Sequence, residues 1–270
     1  MNKLSTGTYF GSHYQKSVLD DLIITDTKYT HKHVNWHRHE NPYFTYLLHG
    51  KLYEANKKQE HYLTSGGLLF HNWQDAHYNK KPDDFTRGFH VELNANWFKR
   101  HDLPLDCIEG SHLIENPVIK SFMNHVFMES KINDAHSQLS IDGLMLTAFD
   151  LMKLDFTSTN RKHASWIDKL KEVINDSFDN HSLTSLSELL GIHPVHLSRE
   201  FHRIYGITFG QYIRFIRVNK AFDLLLNSKM NMTEVCYDCG FYDQSHFIRD
   251  FKRIYKKSPK KILKMLNLYN

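Results

Sequence analysis

Arginine and glutamine side chains that could read DNA bases recur in two similar segments of the chain. REFHRIY at 199–205 and RDFKRIY at 249–255 agree at five of seven positions and keep an acidic residue at the second. Arginine can hydrogen-bond a guanine edge through two donors, and glutamine can pair in the same way with adenine. The candidate readers are Val195, Ser198, Arg199 and His202 in the first segment, and Gln244, Ser245, Arg249 and Lys252 in the second.

The similarity continues upstream, where LTSLSELLGI matches MTEVCYDCGF in pattern. Each copy has a threonine suited to cap a helix, Thr184 or Thr233, followed by a short apolar helix pattern. A glycine then marks the helix stop, Gly191 or Gly240, before a second helix begins. A short helix, a glycine turn and a second helix make up the helix-turn-helix plan, which the chain therefore carries twice.

The spacing of apolar residues in each second helix indicates which side is buried. Leu197, Phe201 and Ile204 recur at i, i+4 and i+7, which places them on the core face and leaves the candidate readers on another. The core stripe of the second copy consists of Phe247, Phe251 and Ile254. Taken singly, each outward residue could also belong to an ordinary solvated helix face, and Arg199 could pair with Glu188.

Three histidines in the N-terminal half have types and spacing that suit ligand binding. His37 and His39 are two residues apart in a strand-like segment, so their side chains point to the same face. His77 follows a turn later in the chain. Three converging imidazoles can hold a divalent ion in an open site, contact a small molecule, or serve only structure.

Composition restricts the class of protein. The chain has 270 residues with 34 Lys+Arg and 30 Asp+Glu, and its mean hydropathy is −0.53. Residues 1–164 carry 18 Lys+Arg against 19 Asp+Glu, whereas residues 165–270 carry 16 against 11. A basic C-terminal third predicts that only this part faces a polyanion. Three cysteines, no apolar run long enough to span a membrane and no signal-peptide pattern favour a cytoplasmic protein without membrane contact.

The periodicity of the chain changes twice. Between residues 22 and 93, segments rich in Tyr, Phe, Val and Thr are separated by turn residues, which predicts antiparallel strands. From Asn116 the apolar spacing is helical, and two helices are expected with a break near Asn133. We predict a first domain at 1–156, a polar linker at 157–165 and an all-helical domain at 166–270. In the last domain Cys236 and Cys239 fit a core helix better than a metal or redox pair.

The C-terminal third resembles the DNA-binding domain of AraC-type bacterial transcription regulators. The resemblance rests on GIHPVHLSREFHRIYGITFGQYIRFIRVNKAFDLLL and CGFYDQSHFIRDFKRIYKKSP, and it covers about 100 residues. It implies base-facing roles for the following residues: Val195, Ser198, Arg199, Gln244, Ser245, His246 and Arg249. It also implies that Lys252 and Arg253 contact phosphates. Lys256 and Lys257 depart from the family, which often has a glycine after this helix.

The N-terminal half resembles, less closely, the small cupin-like barrel in which such regulators bind an effector. In metal-binding cupins a His-x-His pair, a glutamate a few residues later and a further histidine converge. His37, His39 and His77 match this pattern, but the glutamate position falls at about Tyr43 or Phe44. We therefore expect these histidines to line an effector pocket, with no metal and no cofactor.

Together, these features predict an α+β multidomain protein. An N-terminal antiparallel cupin-like β-barrel with dimerisation helices precedes an all-α double helix-turn-helix domain. The expected function is a transcription regulator and not an enzyme, with no catalytic residues. Its expected partners are double-stranded promoter DNA, a small-molecule effector, a second copy of the chain and, if it is an activator, RNA polymerase. The alternatives are a cupin-type metal-dependent oxygenase or isomerase fused to a DNA-binding domain, and an architectural protein without an effector.

Overall fold

The computed structural model describes residues 2–72, 75–159, 165–177 and 182–266. It divides into two compact units, the first comprising residues 1–115 and 123–144 and the second residues 116–122 and 145–270. The described helices include none long and apolar enough to cross a membrane.

The first unit is built on two β-sheets. The strands are β1 (Asn2–Leu4), β2 (Gly11–Leu19), β3 (Leu22–Tyr29), β4 (His33–His39), β5 (Tyr43–His49), β6 (Lys51–Asn56), β7 (Glu60–Thr64), β8 (Leu68–His71), β9 (His77–Lys80), β10 (Arg87–Leu93) and β11 (Ser111–Leu113). One sheet has the order β1-β4-β9-β6-β7 and the other the order β11-β8-β5-β10-β3-β2. All pairings in these sheets are antiparallel except that of β1 with β4, which confirms the expected fold class of this half.

The inner faces of the two sheets pack against each other. Leu52 and Leu63 from the first sheet form an apolar cluster with Leu47 and Leu69 from the second. Gly50, at φ +87°, permits the tight connection between β5 and β6, because a side chain there would strain the backbone. Apolar side chains therefore fill the space between the sheets at this end.

Three helices follow or flank the sheets: α1 (Ala95–Arg100), α2 (Pro117–Ile132) and α3 (Ser137–Thr159). The predicted break between the two longer helices lies at Asn133, which has a φ of +48°. In α3 the apolar residues Met145, Phe149 and Met152 are at most 1% exposed, so they are core residues. Leu139 on the same helix is 77% exposed.

The second unit contains the remaining helices, and its all-helical class is confirmed. They are α4 (Ser165–Ser177), α5 (Leu183–Leu190), α6 (Pro194–Tyr205), α7 (Phe209–Asn227), α8 (Met232–Asp238), α9 (Gln244–Tyr255) and α10 (Pro259–Met265). The predicted core stripe is buried, with Leu197 and Phe201 inaccessible and Ile204 5% exposed. Cys236 and Cys239 are both fully buried, as a core role requires.

The predicted helix caps Thr184 and Thr233 are wrong. Ser182 caps α5 and Asn231 caps α8. Each helix therefore begins two residues earlier than it would with the predicted threonine as its cap. Each true cap forms a reciprocal capping box with the residue three positions later. Asn231 Oδ1 accepts from the backbone N–H groups of Thr233 and Glu234, so Thr233 already lies within the first turn of α8.

The predicted linker at 157–165 coincides only in part with the described residues. Residues 157–159 belong to the end of α3 and Ser165 begins α4, whereas residues 160–164 lie outside the described residues. The division into units places all of 145–270 together. The domain boundaries 1–156 and 166–270 stay a prediction.

Candidate functional site

The first helix-turn-helix motif consists of α5 and α6. Gly191, at φ +66°, ends α5 in the left-handed conformation that glycine adopts without strain. His193 caps α6 by accepting a hydrogen bond on Nδ1 from the Val195 backbone N–H at 3.3 Å. Pro194 occupies the first helical position, where its missing N–H costs nothing. These features fix the angle at which α6 leaves the turn.

The second motif, α8 and α9, repeats this plan with different side chains. Gly240 has a φ of +72°, and Asp243 caps α9 by accepting from the His246 N–H at 2.7 Å. Gln244 Nε2 donates to Thr233 Oγ1 at 2.6 Å, which ties the start of α9 to α8. The predicted adenine reader is therefore held in a defined position rather than free to rotate.

The outward faces of α6 and α9 carry most of the predicted DNA-binding residues. The side chains that are exposed are Val195, Ser198, Arg199, His202, Gln244, Ser245, Arg249, Lys252 and Arg253. His246 differs, because it is only partly exposed and its Nε2 lies 3.0 Å from Asp250 Oδ2. Its contact is with its own helix, so it fits the base-facing role least well of the set.

An ion-pair network distinguishes the second motif from the first. Asp250 is 4% exposed, and Arg214 Nε from α7 lies 3.1 Å from its Oδ2. At the corresponding position of the first motif, Glu200 pairs with Arg203 of the same helix instead. The second recognition helix is thus anchored to α7 by charge as well as by packing.

Positive charge is concentrated near the C-terminal end of α9. Lys252, Arg253 and Lys256 are exposed, and Lys257 is partly exposed. Lysines and arginines on a surface facing DNA neutralise phosphates and release counterions, which makes binding dependent on salt. The second motif therefore exposes more cationic side chains than the first.

A second candidate site lies between the inner faces of the two sheets in the first unit. His37 and His39 on β4 are 2% and 3% exposed, and His77 on β9 is 1% exposed. A β-bulge in β4 between Val34 and His37 inserts one residue relative to β9, which brings His37 directly opposite His77. The ring centroids of these two residues are 4.3 Å apart. All three predicted effector-binding histidines are thus brought together.

Backbone contacts fix the tautomers of two of these imidazoles. His37 Nδ1 lies 2.8 Å from the Asn35 carbonyl oxygen, and His77 Nδ1 lies 3.1 Å from the Asp75 carbonyl oxygen. A carbonyl oxygen only accepts, so Nδ1 must carry the proton and Nε2 must present its lone pair. The Tyr43 hydroxyl, 3.2 Å from His77 Nε2, donates to that lone pair.

Glu54 on β6 and His71 on β8 complete this polar cluster, which hereafter means His37, His39, Glu54, His71 and His77. Glu54 Oε1 lies 3.2 Å from His71 Nδ1, and Glu54 Oε2 lies 3.9 Å from His77 Nε2. The ligand atoms of the three predicted histidines lie within 4.8 Å of one another, and so do those of Glu54, His71 and His77. The cluster therefore offers two overlapping sets of three donors.

Burial controls the protonation of the cluster. It lowers the pKa of His77 to about 3, with His37 nearby adding to the effect, and lowers the pKa values of His39 and His71 well below the usual range. These imidazoles are therefore neutral at pH 7. Burial also raises the pKa of Glu54 to about 8, against the opposing charge of Lys81.

The surrounding side chains leave little space. His90 is bonded on both ring nitrogens, to Thr25 Oγ1 at 2.9 Å and to the Tyr29 hydroxyl at 2.8 Å, so it offers no lone pair to a ligand. Tyr9 stacks on His90 with ring centroids 3.7 Å apart. The cavity next to His37, His39 and Glu54 measures about 20 Å³ for the centre of a water-sized sphere. That volume holds roughly one water molecule.

Sequence reasoning missed Glu54, His71 and the buried Lys81. Glu54 alternates with Leu52 along β6, so the strand pattern places both on one face. The spacing of Glu54 two residues after the core residue Leu52 could therefore have predicted that Glu54 points inward. The pairing of β6 with β9, which brings Glu54 to His77, could not be derived from spacing alone.

Parts of the chain are similar to known proteins. A helix-turn-helix domain model matches residues 186–265. The HTH-type transcriptional activator RhaS of Escherichia coli is 24% identical over 239 residues, covering 84% of this chain and 86% of RhaS. The HTH-type transcriptional regulator GlxA of Rhizobium meliloti is 32% identical over 93 residues, covering 34% of this chain and 28% of GlxA. The C-terminal part is an AraC-type helix-turn-helix domain.

The matched residues of the AraC-type domain run from α5 to α10, so α6 and α9 both lie inside it. Among solved structures, ToxT of Vibrio cholerae O395 is 14% identical, with 92% of this chain and 99% of ToxT covered and a TM-score of 0.35. A TM-score this low carries no weight for the fold. The fold of the first unit rests instead on its own strands and register.

Proposed function

We propose that the chain is a sequence-specific DNA-binding transcription regulator whose N-terminal unit binds an effector. The observation that carries the proposal is the repeated motif: two recognition helices, α6 and α9, both contact α7, and each exposes an arginine at the same position, Arg199 and Arg249. The basic composition of residues 165–270 supports the same conclusion.

The length of α7 suits a bipartite DNA site. Its 19 residues span about 28 Å at 1.5 Å per residue, close to the roughly 34 Å of one turn of B-DNA. Two recognition helices carried by such a helix can enter successive segments of the major groove on one face of the duplex. The proposed partner is double-stranded promoter DNA.

The proposed effector site is the polar cluster between the sheets. It combines buried, neutral imidazoles with a carboxyl group in an aromatic surrounding, and converging polar groups in an apolar enclosure are typical of ligand sites. The relatives RhaS and GlxA are named as regulators, which supports a regulator rather than an enzyme. We also propose a cytoplasmic location and, if the chain is an activator, contact with RNA polymerase.

We propose that the regulator is a homodimer that associates through α3. Leu139, Gly143 and Leu146 lie at i, i+4 and i+7 on one side of this helix, and Leu139 is 77% exposed. A side chain added at Gly143 would meet nothing within 4 Å, so a second helix can approach closely there. Phe149, on the same helix, is fully buried and therefore unsuited to a dimer contact.

The dimer is tested by sedimentation of Leu139→Glu, which should become monomeric at micromolar concentration while wild type stays dimeric. Ser140→Glu, an exposed neighbour on another side of α3, is the matched control and should leave the dimer intact. A monomeric wild-type protein would refute this part of the proposal.

Selection of DNA by the full chain from a random duplex library tests the regulator itself. We expect an enriched sequence with two conserved blocks about one helical turn apart, and footprinting should protect both blocks on one face of the duplex. Absence of any enriched sequence, or protection of a single block, would contradict the proposed mode of binding.

A further inference from the structure

The polar cluster has three features of a metal site, although the sequence position at which a glutamate ligand was expected holds Tyr43 or Phe44. The first is the donor set, with three imidazoles whose ligand atoms lie within 4.8 Å of one another and a carboxyl group on a neighbouring strand. Glu54 comes from β6 and not from the segment after His39, where Tyr43 stands instead. Its Oε2 lies 3.9 Å from His77 Nε2, so the same imidazole belongs to both sets of donors.

The second feature is the orientation of the donors. The Asn35 and Asp75 carbonyl oxygens hold the Nδ1–H groups of His37 and His77, so both Nε2 atoms carry lone pairs. The lone pair of His77 accepts from the Tyr43 hydroxyl at 3.2 Å, a hydrogen bond that a bound ion would replace. Metal-binding histidines characteristically donate their other ring N–H to a carbonyl or a carboxylate in this way. His39 Nδ1 is buried and lacks a hydrogen-bond partner among the described residues, so a ligand there would satisfy an otherwise costly group.

The third feature is size. A cavity of about 20 Å³ beside His37, His39 and Glu54 accommodates a single ion or water but no sugar, fatty acid or other organic metabolite. Sites for organic ligands typically measure about 300–1,000 Å³. The free volume therefore favours a monatomic ligand.

We propose that the effector of this regulator is a divalent first-row transition-metal ion held by His37, His39 and His77, with Glu54 as the fourth ligand. Imidazole nitrogens with one carboxylate suit zinc, nickel, cobalt or iron(II), whereas calcium and magnesium require mostly oxygen ligands. The bound ion would supply a positive charge that links β4, β6 and β9. The effector role rests on the proposed function, but the ion site itself does not.

Lys81 is the group that most opposes a cation at this place. It is 3% exposed, and its Nζ lies 4.5 Å from the centre of the Tyr29 ring and bonds Asn79 Oδ1. A bound cation would favour the ionised form of Glu54, and the resulting carboxylate would offset the charge of Lys81. Removing Glu54 should therefore weaken ion binding even though three histidines remain.

The test begins with full-length protein purified without a histidine tag, stripped with a chelator and titrated with Zn²⁺ or Co²⁺. Elemental analysis after gel filtration should give one ion per chain, and the visible spectrum of bound Co²⁺ should indicate nitrogen and oxygen ligands. His77→Ala and the isosteric Glu54→Gln should each weaken binding by about 10-fold or more. His33→Ala, on the same strand as His37 but exposed, is the matched control and should bind as wild type does.

DNA affinity is then measured with stripped and ion-loaded protein on the selected duplex. A change in affinity that requires His77 and Glu54 supports the effector role. Substoichiometric binding, a Co²⁺ spectrum without nitrogen ligands, or equal binding by wild type and His77→Ala would overturn the site. An unchanged DNA affinity on loading, or a response of metal-free protein to an organic compound, would overturn the effector role.

Should the variants fail to fold, the wild-type stoichiometry and Co²⁺ spectrum decide the question. Failure of both stripped and loaded protein to bind any DNA would refute the proposed regulator and leave the ion measurement valid.

Discussion

The paired arginines of the two recognition helices allow a sharp test of how the chain reads DNA. Arg199 and Arg249 occupy the same position of α6 and α9 and are both exposed. If each bonds a guanine edge, replacing either with alanine should cost about 1–3 kcal/mol of binding free energy. Since 1.4 kcal/mol is about a tenfold change, the dissociation constant should rise by roughly 5- to 150-fold for each variant.

A second arginine on α6, Arg203, provides the control for this comparison. Arg203 lies four residues after Arg199 on α6, but its guanidinium Nε and NH2 atoms lie 2.9 and 2.7 Å from Glu200 Oε2. An arginine already paired with a carboxylate has less to offer a base, so Arg203→Ala should change affinity by only a few-fold. Lys252→Ala should weaken binding to all sequences alike and reduce the slope of log affinity against log salt by about 1.

The assay is gel-shift titration of each variant on the selected site, on versions substituted in one block, and on unrelated duplex. We expect Arg199→Ala to lose base preference in one block only and Arg249→Ala in the other. If either variant loses equal affinity for specific and unrelated DNA, its arginine contacts phosphate and the direct-readout argument is wrong. If both relax the same block, the two motifs do not occupy separate segments of the groove.

Two further predictions concern stability. Lys256 ends α9 at φ +57°, where Gly206 stands in the first motif, so Lys256→Gly should raise the free energy of unfolding by about 0.5–1 kcal/mol and Gly206→Ala should lower it similarly, as measured by urea denaturation. Burial raises the pKa of Asp26, but hydrogen bonds and charges from Arg87 and Lys131 outweigh burial and hold the net pKa below its usual range. A lowered pKa means that this stabilisation is complete above the unfolded value of about 3.9 and is lost as pH falls through the folded value. Asp26→Asn should therefore lower the free energy of unfolding by about 2–4 kcal/mol at pH 7, a range that takes into account the partial exposure of both cations. The substitution should also flatten the acid limb of the curve of stability against pH, and an unchanged acid limb would contradict this.

The sequence predicted the C-terminal architecture well because its determinants are local. Helical spacing places Leu197, Phe201 and Ile204 in the core. The turn of each motif depends on a glycine that can adopt a positive φ angle, and that residue is recognisable in the sequence. The caps were assigned wrongly because a serine or asparagine two residues earlier is an equally suitable N-cap, and spacing alone does not rank the two candidates. The contact of His246 with Asp250 was also missed, because the buried state of Asp250 depends on Arg214 from another helix.

The N-terminal unit was less predictable because its site depends on which strands pair. Strand alternation is a local property, so the common orientation of His37 and His39 followed from their spacing. Bringing Glu54 into the same site requires the register of β6 on β9, in which Asn56 lies opposite His77 and Glu54 opposite Asn79. A shift of that register by one residue would turn Glu54 to the outer face of the sheet and replace it with Ala55 or Tyr53.

The inward orientation of the histidines likewise depends on strand pairing, through the bulge in β4. If the same residues paired with β9 in a regular register after Val34, with no bulge, Trp36 would point inward and His37 would point outward. Because one inserted residue changes the direction of every later side chain, the histidine pair and the bulge must be maintained together. Inserting one alanine between Trp36 and His37 should therefore turn His37 and His39 out of the cluster while keeping the strand. Such a variant should lose Zn²⁺ binding even though every candidate ligand is still present, which separates the geometry of the site from its composition.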